Sequence, residues 1–160
     1  MYRVIKALNH NAVLVLDGAS QEYLIMGKGI GFGKKVSERI EPAPDSVVYS
    51  LQSVSERGKA KDLFKEIDPR YLEMADAVLN EAAKEFAHVD RGVLFPMADH
   101  IAFAVSRMRR GEVIANLLTQ DIQVLFYKEF KAASLVRRLL MEEEGLEVPD
   151  DEIGYVALHV

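Results

Sequence analysis

Apolar residues in the first fifty positions fall in short runs cut by turn residues, and further along they recur at three- and four-residue steps. "YRVIKAL" (2–8) and "AVLVL" (12–16) are aliphatic and β-branched, "DGAS" (17–20) is an Asp-Gly turn, and "QEYLIM" (21–26) is its hairpin partner. "VVYSL" (47–51) follows the proline-bearing "EPAPDS", which suits a turn or sheet edge. From about Ser55 the period becomes helical. "YLEMADAVLNEAAKEFA" (71–87) places Leu72, Ala75, Val78, Leu79, Ala82, Ala83 and Phe86 on one face, and "LFPMADHIAFAVSRMRRG" (94–111) closes on basic residues and a glycine. "DIQVLFYKEFKAASLVRRLLMEEEG" (121–145) reads as one long amphipathic helix. "VPDDEIGYVALHV" (148–160) opens a last helix with acids in its first turn, where the dipole favours them.

The pattern predicts two modules: a small all-β antiparallel unit of four strands over 1–55 and an all-α helical bundle over 56–160, joined by the polar "SVSERGKAKD". A four-stranded unit is near the size limit for independent stability, so a companion domain or a second copy is expected to support it. Charge divides the same way. Through Ser53 there are six basic and five acidic residues, net +1, and the remainder holds 14 basic and 20 acidic, net −6. Three of the six N-terminal bases lie in 27–35, so a local positive patch is compatible with an overall charge of −5. The absence of cysteine excludes disulfides and thiolate metal sites. No apolar run is long enough to span a bilayer and no signal-peptide core opens the chain, so a cytoplasmic location without membrane insertion is expected.

Those three lysines belong to "GKGIGFGKK", which also has glycines at 27, 29, 31 and 33. A dinucleotide fingerprint would need another glycine spacing and a following helix, and a P-loop would need Ser or Thr where Lys35 stands. The loop instead offers backbone able to approach a partner closely, charge for phosphates, and Phe32 as a stacking face, the combination that single-stranded or looped RNA requires. Composition alone favours a flexible surface hairpin with Phe32 turned into the core. Lys6, Asn9, His10 and Asn11 stand at the first turn: asparagine can read base edges, but it is a common turn residue, and on these residues alone the turn reading wins.

The four histidines, His10, His88, His100 and His159, show no metal-ligand spacing, so neither a metal nor any cofactor is expected. At about 100° per residue His100 falls at the edge of the stripe of Met97, Ile101, Ala104 and Met108, with Arg107 two turns along on the same side. His159 flanks Ile153, Val156, Ala157 and Val160. By pattern alone each suits a partly buried histidine with a structural hydrogen bond. Asp99, beside His100, is placed to orient its ring or to hold Arg107.

"NHNAVLVLD", "LIMGKGIGFGKK", "ADHIAFA" and "IGYVALHV", in this order, resemble the BglG/SacY/LicT-type family of bacterial transcriptional antiterminators, and the loop resembles its glucose-responsive GlcT branch. The resemblance runs over the whole chain. It implies a co-antiterminator RNA-binding domain (1–55), a four-stranded barrel that dimerises, followed by the first regulation domain of the phosphotransferase system (56–160). The homodimer is then expected to hold an RNA hairpin with internal loops, the ribonucleic antiterminator, so that an overlapping terminator cannot form. No catalytic residue is implied. Position by position, Lys6, Asn9 and Asn11 match RNA-contacting residues of the first turn, and Gly27, Lys28, Gly29 and Phe32 match the second contacting loop. Lys28 stands where other members carry Arg, which exchanges a planar fork for a point charge. His10 occupies a position that is often Asn and is assigned no contact.

The same resemblance makes His100 and His159 phosphoryl acceptors, with Asp99 and Arg107 in support. A sugar-specific transporter component, and the general phosphocarrier HPr, are the implied donors. A phosphoryl group puts about two negative charges on a neutral imidazole, which is expected to repack and weaken a dimer. Family members continue into a second regulation domain, whereas this chain stops one residue after His159, so a piece of a longer protein is expected, with constitutive RNA binding left open. Two other classes remain: a regulator that only docks transport proteins, for which Lys28 and Phe32 are dispensable, and a relay enzyme passing phosphate onward from His100 or His159.

Overall fold

The computed structural model describes residues 1–51, 54–55, 58–59, 67–112 and 114–160, the side chains of 54–55 and 58–59 excepted. Most of the expected joining segment lies outside these residues. Two compact units emerge, Met1–Glu73 and Met74–Val160.

In the first unit, β1 (Tyr2–Asn9), β2 (Ala12–Leu16), β3 (Glu22–Met26), β4 (Arg39–Ile40) and β5 (Val47–Ser50) form one antiparallel sheet in the order β4-β1-β2-β3-β5. The four expected strands are β1, β2, β3 and β5. The expected four-stranded barrel is corrected in two respects. The sheet has five strands, and its terminal strands β4 and β5 do not pair with each other, so the ladder stays open among the described residues. β4 escapes a sequence reading because it is two residues long and exists only through its partner, with Tyr2 opposite Ile40 and Arg3 opposite Arg39. A turn through Ser37, at φ 69°, leads into it.

Val4, Val13, Val15, Ile25, Ile30 and Ile40 make the core of this unit, with Tyr2, Tyr23 and Val48 packed against it. The β1–β2 register slips twice, between Val4 and Lys6 and between Ala7 and Asn9. Each slip is a bulge, a device that re-aims the neighbouring side chains, and Lys6 and Asn9 stand at the two sites. β6 (Val54–Ser55) and β7 (Gly58–Lys59) form a separate two-stranded hairpin. Strand therefore continues past Ser55, where the helical module was expected to begin.

Helix α1 (Pro69–Ala83) carries the boundary between the units. A 3-10 turn (Arg91–Val93), capped by Asp90 accepting the Gly92 N–H at 2.9 Å, leads into α2 (Leu94–Arg109). The single helix expected over 121–145 is three: α3 (Thr119–Leu125), α4 (Tyr127–Ala133) and α5 (Leu135–Glu144). Phe126 leaves helical geometry at φ −123° and ψ 47°, and the Ser134 hydroxyl donates to the Phe130 carbonyl at 2.8 Å, the back-bonding that bends helices. Their shared apolar face kept the period unbroken through both joints. Gly145, left-handed at φ 65°, ends α5. The last helix, α6 (Asp150–Ala157), packs against α2, α3 and α4. Leu94, Phe95, Met97, Ile101, Leu140 and Ile153 are among the fully buried side chains of this unit. Among the described residues no helix is long and apolar enough to cross a membrane.

Candidate functional site

Two groups of the sequence-identified residues come together, one in each unit. In the first, the turn after β1 and the glycine loop after β3 are stitched by backbone bonds. Gly27 N–H donates to the Asn11 carbonyl at 3.0 Å and Gly31 N–H to the His10 carbonyl at 2.9 Å. The Asn11 side chain adds a third link, its Oδ1 accepting the Gly29 N–H at 2.9 Å. Gly31 is fixed by contact, since a Cβ there would stand 2.1 Å from the Asn9 carbonyl oxygen. Gly29 is fixed by conformation, at φ 74°.

Phe32 projects from this surface with 66% of its area exposed, so the alternative in which its ring enters the core is excluded. The ring of His10 stands edge-on to it, centroids 5.0 Å apart and planes at 82°. Lys6 and Lys28 are exposed at the same turn and loop, while Lys34 pairs with Glu38 at 3.5 Å. The asparagines also serve the turn. Asn9 Oδ1 accepts the Asn11 N–H at 2.9 Å, and the amides of Asn9 and Asn11 donate to the two oxygens of Glu73, the last residue of this unit, at 3.0 and 2.6 Å.

The second group lies between α2 and α6. His100 and Arg107 are seven residues, two turns, apart on α2 and both point inward. His159 follows the end of α6, with its ring centroid 5.5 Å from that of His100. Its Nδ1–H donates to the Tyr155 carbonyl at 3.1 Å, which leaves Nε2 as the ring's lone-pair nitrogen. His159 also lines a cavity of about 410 Å³ with Phe86, His88 and Glu129. Between the rings and Arg107 sits Glu152, 3% exposed, with Oε1 at 3.0 Å from Arg107 Nη1 and Oε2 at 3.2 Å from Nη2. Glu152 thus holds Arg107. Asp99 itself is half-buried on α2.

The profile of the PRD domain family matches residues 72–160, more than half of the chain. The chain belongs to the PRD domain family. A second profile, that of the CAT RNA binding domain, matches residues 2–57 of this PRD-family protein. Relatives align along its length: the beta-glucoside operon antiterminator of Dickeya chrysanthemi, 28% identical over 159 residues, and the transcription antiterminator LicT of Bacillus subtilis, 26% identical over 159 residues. Protein GlcT of Staphylococcus aureus (strain Newman) is 31% identical over 162 residues. Each alignment takes in 99% of this chain but 56 to 57% of the relative, so the chain spans a little over half the length of the curated relatives it matches. The crystal structure of GlcT CAT-PRDI superposes with a TM-score of 0.77 at 29% identity, over 99% of this chain and 95% of that one.

In PRD-family terms, the stitched turn and loop lie in the CAT-matched residues, and His100 and His159 in the PRD-matched ones. Sequence reasoning missed Glu152, whose place in the first turn of α6 was already accounted for by the helix dipole. The signal was there in the spacing: Glu152 precedes His159 by seven residues, as His100 precedes Arg107. It also missed Glu73, and it left His10 without a part.

Proposed function

We propose that this chain is the RNA-binding and first regulatory portion of a transcriptional antiterminator, acting in the cytoplasm as a homodimer and controlled by phosphotransferase-system phosphorylation. The observation that carries the reading is the stitched surface. Lys6, Asn9 and Asn11 on one segment, and Gly27, Lys28, Gly29 and Phe32 on another, are held together by three hydrogen bonds around an exposed aromatic ring. Such a surface offers what a looped RNA takes: donors for base edges, lysines for phosphates and a ring for an unstacked base. Residues 1–55 carry this activity and 56–160 its control, with His100 and His159 as phosphoryl acceptors facing each other and Asp99 and Arg107 as supports. The relatives' names support the same reading, since two are antiterminators. Binding is a structural act on the RNA, holding a hairpin with internal loops against terminator formation, and needs no covalent chemistry.

The test is affinity for a short hairpin with internal loops, against a fully paired hairpin of equal length and duplex DNA, with Lys28→Ala and Phe32→Ala alongside. Preference for the looped RNA, salt-sensitive and lost in Phe32→Ala, is the expected result. Equal weak binding to all three would leave only nonspecific charge and transfer the reading to a regulator that docks transport proteins. Control is tested by acidic substitution at both His100 and His159, which is expected to lower RNA affinity and dimerisation together.

A further inference from the structure

Arg107 is a buried guanidinium whose donors are not all used. Glu152 accepts a hydrogen bond from Nη2 at 3.2 Å and lies at ion-pair distance, 3.0 Å, from Nη1, Phe103 lies under the Cζ at 5.1 Å, and Nε and Nη1 have no hydrogen-bond acceptor among the described residues. A buried cation with an unfilled donor is a site for an anion with more oxygens than a carboxylate has. Glu152 Oε2 lies 4.0 Å from His100 Nε2 as well as 3.2 Å from Arg107 Nη2, so one carboxylate oxygen faces both. A phosphoryl group on that nitrogen would extend its oxygens across most of the 4.0 Å gap.

We propose that Arg107 is a phosphoryl-binding residue and Glu152 its displaceable counter-anion: phosphorylation of His100 at Nε2 transfers Arg107 from Glu152 to the phosphoryl group and unties α6 from α2. This rests on the reading of His100 as a phosphoryl acceptor. The charge balance decides the exchange. Arg107 and Glu152 neutralise each other, and the phosphoryl group adds about two negative charges beside a carboxylate that burial has stripped of water. The single positive charge of one guanidinium cannot neutralise both anions. The phosphoryl group has the greater charge and three oxygens, against two on a carboxylate that gains a route to solvent once the first turn of α6 moves. The α2–α6 tie is thereby converted into a like-charge repulsion.

Potassium phosphoramidate is the probe, because it phosphorylates histidine without any partner protein. The lone pair of Nε2 attacks phosphorus, the N–P bond of the reagent breaks, ammonia leaves with that electron pair, and nothing is oxidised or reduced. Modification of His100 is mapped by mass spectrometry, the thermal midpoint is measured before and after, and the Arg107 Nε–H signal is followed by NMR. In the unaltered chain the midpoint is expected to fall by about 5 °C and the Nε–H signal to shift as it gains an acceptor. In Glu152→Gln the fall should vanish or reverse, because the phosphoryl group takes Arg107 without displacing an anion. In the double variant Arg107→Met, Glu152→Gln the fall should return. An equal fall in the unaltered chain and Glu152→Gln would overturn the proposal. If Glu152→Gln does not fold, an Nε–H signal unmoved by His100 phosphorylation overturns it. A His100 that stays unmodified while exposed histidines react would instead defeat the acceptor reading itself, and the proposal with it.

Discussion

Asn11 accepts the Gly29 N–H through its side-chain oxygen at 2.9 Å, and its own carbonyl accepts the Gly27 N–H at 3.0 Å, so one residue of the first turn holds two glycines of the second loop. Both partners are backbone donors that would otherwise need water. Asn11→Ala removes the side-chain acceptor and an amide that donates to Glu73. Its expected cost is about 1–3 kcal/mol of unfolding free energy in a denaturant titration, with a larger proportional loss of RNA binding, because the loop then samples other placements.

Gly31 and Gly33 separate contact from conformation. An alanine Cβ at 31 would meet the Asn9 carbonyl oxygen at 2.1 Å, a backbone atom that cannot move without breaking the β1–β2 turn. At 33 there is open space, and only φ 69° opposes the substitution. Gly33→Ala should cost about 1 kcal/mol, whereas Gly31→Ala should cost about 3 kcal/mol or more and abolish RNA binding. Thermal unfolding and RNA titration of the pair check this; equal costs would show that the loop does not rest on Asn9.

What could be read in the chain, and what could not, follows from how local each cause is. β1, β2, β3 and β5 are aliphatic runs whose own composition makes them strands. β4 is strand only because Ser37 N–H donates to the Val4 carbonyl at 2.7 Å and Val4 N–H to Glu38 at 2.8 Å, a tertiary cause invisible in "SERIEP". The breaks at Phe126 and Ser134 likewise leave the apolar period intact. In the candidate sites, Phe32 and the histidines were legible because motifs carried them. Glu152 was not, because an acid in a first helical turn already has a local reason to be there.

His10 and Phe32 meet edge to face at 5.0 Å, so His10 orients the ring that is expected to stack on a base. Phe32, being mostly exposed, should be replaceable without loss of fold. Phe32→Ala should weaken looped-RNA binding by about 1–3 kcal/mol with the thermal midpoint unchanged. His10→Ala should weaken it less. A double-mutant cycle should show coupling of about 0.5–1.5 kcal/mol, and zero coupling would make His10 a bystander.

Glu73 occupies the asparagine donors that the proposed function assigns to RNA. Its two oxygens hold the amides of Asn9 and Asn11 at 3.0 and 2.6 Å, and its charge opposes an incoming phosphate. Glu73→Ala should tighten looped-RNA binding about three- to tenfold, the equivalent of about one net hydrogen bond. Unchanged or weaker binding would mean that the carboxylate orders the asparagines for RNA rather than withholding them.

The turn after β2 sets an acid limit on the first unit. The Asp17 carboxylate accepts the N–H groups of Gln21 at 2.9 Å and Ala19 at 2.8 Å, and these bonds, Gln21 first, hold it below the ordinary carboxylate range against a smaller opposing effect of desolvation. A group depressed in the folded state stabilises it fully at pH above its unfolded value and loses that contribution as pH falls through the folded one. The contribution is therefore present at neutral pH and disappears below the ordinary carboxylate range of about 4. Asp17→Asn should lower stability at neutral pH, because an uncharged acceptor bonds the two N–H groups less strongly, and should leave it nearly unchanged in acid, where Asp17 is itself protonated. Unfolding midpoints of the two proteins measured across the acid range should converge as pH falls; parallel curves would show that the carboxylate's charge contributes nothing at this turn.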